Sequence, residues 1–145
     1  MTNHLTTASR VLLGTLFVMF GANGFLHFLP TPAVTEAGGA FLGALAATGY
    51  MFPLIKGLEV AAGIALLSGR SVPLALTLLA PITINIFAFH LVLSPGIALP
   101  AAIVALQLQL AWAYRDSFRG MLDARARPAR AERRASAVGQ VTQHA

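Results

Sequence analysis

The chain has 145 residues, 57% hydrophobic and only 10% charged, with a net charge of +5 and no cysteine. A soluble domain carries about 25% charged residues, so this composition, with a mean hydropathy of +0.73, excludes an ordinary soluble domain and reads as an integral membrane protein. The missing cysteine excludes disulfide exchange, thiolate catalysis and Cys-ligated metal or iron–sulfur centres, so any redox role would have to borrow a quinone, a haem or a flavin.

Residues 1–10 are polar and end in Arg10. The run from Val11 to Leu29, VLLGTLFVMFGANGFLHFL, is long enough to cross a bilayer as a helix. It is too long for the apolar region of a typical signal peptide and no small-x-small cleavage site follows it, so it is read as the first span, closed by Pro30 and Pro32. Residues 33–50, AVTEAGGAFLGALAATGY, are too weakly apolar for a span. They read as a loop and a short interfacial or re-entrant helix, with Tyr50 and Phe52 at the headgroup boundary.

The second span is expected over about Phe52 to Ser68, and the third over about Pro73 to Leu93. The turn Gly69-Arg70-Ser71 joins them. Ser94-Pro95-Gly96 is a turn, and the fourth span runs from about Ile97 to Ala113, with Trp112 and Tyr114 as an aromatic belt. The expected fold is all-α: a four-helix membrane bundle with one short interfacial helix between spans one and two. The membrane domain covers residues 1–116. Residues 117–145 form a basic, partly disordered tail that would touch anionic lipid. Arg119, Arg125, Arg127, Arg130, Arg133 and Arg134 give the chain its high pI. No aromatic residue interleaves with the distal arginines, so they do not read as a nucleic-acid surface.

Arg10, Arg70 and the tail arginines fall on one side of a four-span chain, whereas the connections over 30–50 and 94–100 carry no Lys or Arg. The positive-inside rule then puts both termini in the cytoplasm.

Ionisable groups at membrane depth cost on the order of 2.5–3.5 kcal/mol each on insertion scales, so Lys56 and Glu59 need a reason. They sit three apart on one helical face. Asn23, Glu59 and Asn85 are expected about 9–12 Å below the outer boundary. His27, Lys56 and His90 lie nearer that surface, with Asn23 and His27 on one face, and Gln107 and Gln109 lie deeper. Two readings stand side by side. In one, Glu59, Lys56, Asn23, Asn85, His90 and His27 line a ligand-binding or proton-relay pocket. In the other, Lys56 and Glu59 neutralise each other, and the amides are interhelical glue worth roughly 0.6–2 kcal/mol each. His27 and His90 lie on alternate spans at like depth, as bis-His haem ligation would need, but two lone histidines are a weak signal for haem. No metal site and no catalytic residue is read from the sequence. Pro81 removes a backbone donor and frees the carbonyl of Thr77.

Three segments together resemble the DoxX family of small bacterial four-helix membrane proteins: GANGFLHFLP (21–30), TGYMFPLIKGLEVAAGIALLSGR (48–70) and VPLALTLLAPITINIFAFHL (72–91). The most specific part is Gly57-Leu58-Glu59 with Gly63, followed by the leucine run to Gly69-Arg70. The spacing of Pro81, Asn85 and His90 adds to it. The resemblance implies a location and a fold more than a reaction. It points to an accessory subunit of a quinone-linked membrane redox system, partnered by the bilayer and by a membrane or peripheral oxidoreductase subunit. A small transporter or lipid-binding protein and a non-catalytic assembly partner are the alternatives, and a homo-oligomer is compatible with each.

Overall fold

The computed structural model describes residues 3–30, 33–121 and 123–124. Most of the expected tail, residues 125–145, lies outside the described residues, as do Pro32 and its neighbour Thr31. The chain divides by contacts into Met1–Tyr114 and Arg115–Ala145. The described residues are helical throughout, with short turns between helices and no strand.

The first unit holds α1 (Asn3–Leu26), α2 (Glu36–Ala47), α3 (Met51–Ser68), α4 (Val72–Val92) and α5 (Ala98–Ala113). Among the described residues, three helices are long and apolar enough to cross a membrane: α1 over His4–Leu26, α3 and α4. The apolar helices α2 and α5 are shorter, and the 16 residues of α5 rise only about 24 Å. The second unit opens on α6 (Arg115–Phe118), beside which Arg119 and Asp116 form an exposed ion pair at 3.2 Å.

The core is made where α1 lies along α3, α3 and α5 flank α4, and α5 returns to α1. Leu13, Phe17, Leu66, Leu79, Ile103 and Leu110 fill it. Two glycines let α1 and α3 approach closely. A methyl on Gly14 would stand 3.0 Å from the carbonyl oxygen of Gly63, and one on Gly63 would stand 2.9 Å from that of Gly14. Helices in hydrocarbon gain little from burying apolar surface, so such close backbone packing carries much of their association.

Each end of the first unit is tied by a polar contact. At one end, Arg10 Nη1 donates to the carbonyls of Leu66 and Leu67, the second at 3.0 Å. These carbonyls lie at the C-terminus of α3, where a cation offsets the negative end of the helix dipole. The chain then turns through Gly69 (φ 71) and Ser71 (φ 52) into α4. Arg10 and Arg70 therefore share one end of the α1–α3 pair. At the other end, Thr35 caps α2 by accepting from Gly38 N–H at 3.1 Å, and its hydroxyl donates to the carbonyl of Leu93 at the end of α4. Phe41 and Phe89, with ring centroids 5.8 Å apart, add an aromatic contact between the same two helices.

The helix boundaries differ from expectation chiefly in α1, which starts at Asn3 and stops at Leu26 rather than running from Val11 to Leu29. The polar opening residues extend the helix because nothing in them breaks it. Its end is made by Asn23 and His27, ahead of Pro30. His27 turns left-handed (φ 50) with its N–H on Asn23 O at 2.9 Å, and Asn23 Oδ1 accepts the N–H of Leu29 at 2.6 Å. Pro81 does not end α4, which continues to Val92.

Candidate functional site

The polar centre of the first unit is the pair Lys56–Glu59 on α3. Lys56 Nζ lies 2.8 Å from Glu59 Oε2 and 3.1 Å from Oε1. The spacing of three residues on one helix brings the two chains side by side. The Glu59 side chain is 2% exposed and that of Lys56 is 19% exposed. The carboxylate is thus sealed and the ammonium reaches the edge of the fold. A charge so sealed is tolerated only with a partner at this range.

The pair is walled by α1. A methyl on Gly21 would meet Glu59 Cβ and Lys56 O at 3.1 Å each, and Val60 at 2.8 Å. A methyl on Gly24 would stand 2.5 Å from Lys56 Cγ and 2.6 Å from Cδ. The missing side chains of α1 are what make room for the lysine stem. On the open side, the Phe52 ring lies one helical turn before Lys56, its centroid 5.7 Å from Nζ, within range of a cation–π contact. An ammonium has three N–H groups. Two oxygens of Glu59 engage it, and its partly exposed side lies over the Phe52 ring.

The other expected site residues divide. Asn23 spends its side-chain oxygen on closing α1, as described above. His27 is exposed and past the end of the helix, so the shared helical face expected for Asn23 and His27 is not formed. Asn85 is exposed and its Nδ2 donates to Pro81 O, one turn back on its own helix, at 3.0 Å. His90 Nδ1 lies 2.9 Å from Ile86 O, also one turn back. A carbonyl only accepts, so Nδ1 carries a proton in this contact. Its ring stands edge-on to Phe89 at 5.3 Å. The hydrogen bonds of Asn85 and His90 thus end within α4, and no hydrogen bond joins either of them to Lys56 or Glu59. Among the described residues no group of three His, Cys, Asp or Glu is placed to hold a metal ion.

A second polar contact joins α4 to α5. Buried Gln107 accepts from Thr83 Oγ1 at 2.6 Å through Oε1 and donates to Leu76 O at 2.9 Å through Nε2. Thr83 was not among the residues singled out from sequence. A lone threonine in an apolar helix gives no sign of which helix it faces. Gln109 Nε2 is buried with no hydrogen-bond partner among the described residues.

No family model matches the chain, and no curated protein and no solved structure matches it.

Proposed function

We propose that this is a DoxX-like protein of the bacterial inner membrane, an accessory subunit of a quinone-linked redox system. In this reading α1, α3, α4 and α5 form a four-helix bundle, α5 being the fourth span completed by its interfacial flanks, and α2 lies in the outer interface. Both termini face the cytoplasm. The contact of Arg10 with the end of α3, beside Arg70, supports putting those two arginines on one side.

The observation that carries the proposal is the asymmetry of the Lys56–Glu59 pair: a sealed carboxylate holds an ammonium that is itself partly exposed and lies over the Phe52 ring. Such a donor suits a carbonyl oxygen on a flat ring, and Phe52 offers that ring an apolar wall. A bound quinone supplies two-electron carriage with proton uptake. Lys56 would hold and orient the quinone oxygen, Glu59 would hold Lys56 in place, and the apolar wall of Phe52 would exclude water. Intramembrane carboxylates and lysines serve such proton and ligand roles elsewhere.

The test is retention of quinone by protein purified in mild detergent, set beside the Lys56→Met/Glu59→Gln double variant, which keeps the volume of the pair without its charges. Wild-type protein is expected to retain quinone at near one per chain and the double variant at least tenfold less. Equal retention by both, or retention by neither, overturns the reading. A second reading, a non-catalytic assembly partner, is favoured by the engagement of both Glu59 oxygens within the fold. It predicts a Glu59→Gln variant that is more stable than wild type and fully active in vivo. A small transporter or lipid-binding protein would use the same edge of Lys56, with net flux into proteoliposomes as its sign.

A further inference from the structure

The face of α4 turned away from the core carries Leu74, Leu78, Pro81, Ile84, Asn85 and Ala88, all exposed, opposite the buried Val72, Ala75, Leu76, Leu79 and Thr83. No helix of the first unit covers it. On a span this face meets lipid, and most of it is suited to lipid. Asn85 is not. It lies seven residues from Val92 along α4, about 10 Å of helix from that end. An asparagine side chain is too short to reach the interface as a lysine can.

The carboxamide offers two N–H groups and an oxygen with two lone pairs. Its Nδ2 donates one bond, to Pro81 O, and no other hydrogen bond to it occurs among the described residues. The second N–H and Oδ1 are therefore left without a partner on an exposed face, and on a span an unmet polar group is costly.

We infer that this face is where a second copy of the chain docks, with Asn85 of the two copies facing each other across a two-fold axis. The inference rests on the membrane reading of α4 and is independent of the quinone proposal. Three properties favour a second copy over a different partner. A carboxamide is self-complementary, donor and acceptor side by side, so two of them pair reciprocally. Copies inserted in one orientation are related by an axis along the membrane normal, which sets each residue opposite its counterpart at the same depth, as an isologous interface requires. Finally, α4 carries no Lys, Arg, Asp or Glu, so nothing on the face calls for a partner of opposite charge. The ring of Pro81 one turn before Asn85, and the small side chain of Ala88 one turn after it, leave the amide standing clear for close approach.

The absence of cysteine makes the test clean, because two copies of the chain can then be linked only through the single introduced thiol. In native membranes, Ala88→Cys is expected to give a disulfide-linked dimer on mild oxidation. Leu108→Cys on the exposed face of α5 is the control and is expected to give at least fivefold less. Adding Asn85→Leu to Ala88→Cys should cut the dimer at least fivefold, and adding Asn85→Gln, which keeps the amide, should largely restore it. Equal cross-linking at positions 88 and 108 overturns the inference, as does indifference to Asn85→Leu or a cross-linked band of a mass other than twice the chain. Carbonate extraction of the same membranes separates the two levels. Chain retained in the pellet without cross-linking removes the pairing alone, whereas chain released to the supernatant removes the membrane reading on which it stands.

Discussion

Gly24 of α1 lies against the aliphatic stem of Lys56, so close that a single added methyl would stand 2.5 Å from Cγ. The lysine is held from three sides: by this glycine, by Glu59 and by the ring of Phe52. Gly24→Ala would force the lysine stem to move or α1 to tilt away. Overpacking of this kind typically costs about 1–3 kcal/mol. The melting temperature of purified protein should fall accordingly. Gly57→Ala on the open side of α3, where a methyl meets nothing within 4 Å, should leave it unchanged or raise it slightly. Equal effects of the two would mean that the contact is looser than its geometry.

The ion pair itself is testable by a double-mutant cycle. Lys56→Met leaves a sealed carboxylate without a partner, and Glu59→Gln leaves a partly sealed ammonium. Breaking a buried pair from one side costs about 3–5 kcal/mol, and removing both charges is often close to neutral. The Lys56→Met loss should be the larger, because Glu59 is the more deeply sealed of the two. The double variant should melt within a few degrees of wild type. Additive losses would show that the two side chains do not depend on each other.

Much of the architecture could be read from hydropathy, and the reasons for the rest are specific. The limits of α3 and α4 follow from apolar runs bounded by Gly69, Ser71 and Ser94-Pro95. The contact of Lys56 with Glu59 follows from a spacing of three on a helix. The end of α1 did not follow, because it is made by the side chain of Asn23 and a left-handed His27, upstream of the prolines that mark it in sequence. Depth along a span was also not enough to gather a site. Asn85 and Glu59 can lie at like depth on different helices and still face different ways, and a rotation about the axis of α4 leaves hydropathy unchanged. Arg10 read only as a mark of sidedness, and its second role as a cap on α3 depends on which helix packs beside α1.

That second role predicts a loss on removing it. Arg10→Met would strip the hydrogen bonds to the carbonyls of Leu66 and Leu67 and the cation at the end of the α3 dipole. Hydrogen bonds from charged groups contribute about 1.5–3 kcal/mol and the dipole about 0.3–1 kcal/mol more. Arg10 is only half-buried, so solvent screening brings the expected loss below that range, to about 1–2 kcal/mol. Arg10→Lys should recover part of it, keeping the charge but not the planar fork. Hydrogen exchange at the amides of Gly69 and Arg70 should rise in Arg10→Met before the rest of α3 is affected.

The proposed orientation predicts where reporters work. A fusion after Ala145 should be active as a cytoplasmic reporter and silent as a periplasmic one, and an epitope placed between Val34 and Thr35 should be reached from outside. Periplasmic activity of the fusion would reverse the sidedness, and with it the assignment of Arg10 and Arg70 to the cytoplasm.

The contact of Thr83 with Gln107 separates glue from ligand binding on the other side of the first unit. Both side chains are buried, Thr83 at 3% and Gln107 at 7% exposure, and each satisfies the other across the α4–α5 interface. Removing the amide with Gln107→Leu leaves the Thr83 hydroxyl to bond back to its own helix, an escape open to threonine but not to most donors. The cost should therefore be small, about 0.6 kcal/mol and at most about 1.7 kcal/mol, the mean and maximum measured for hydrogen bonds between membrane helices. Thr83→Val in turn leaves Gln107 Oε1 buried without its donor while Nε2 keeps Leu76 O, and should cost at least as much. The double variant removes both polar groups and adds apolar contact, so it should match or exceed wild-type stability. Quinone retention should be the same in all three, because this contact joins α4 to α5 while Lys56 opens beside Phe52 on α3. A loss of retention in Gln107→Leu at unchanged melting temperature would move the candidate site from the α1–α3 pair to the α4–α5 interface.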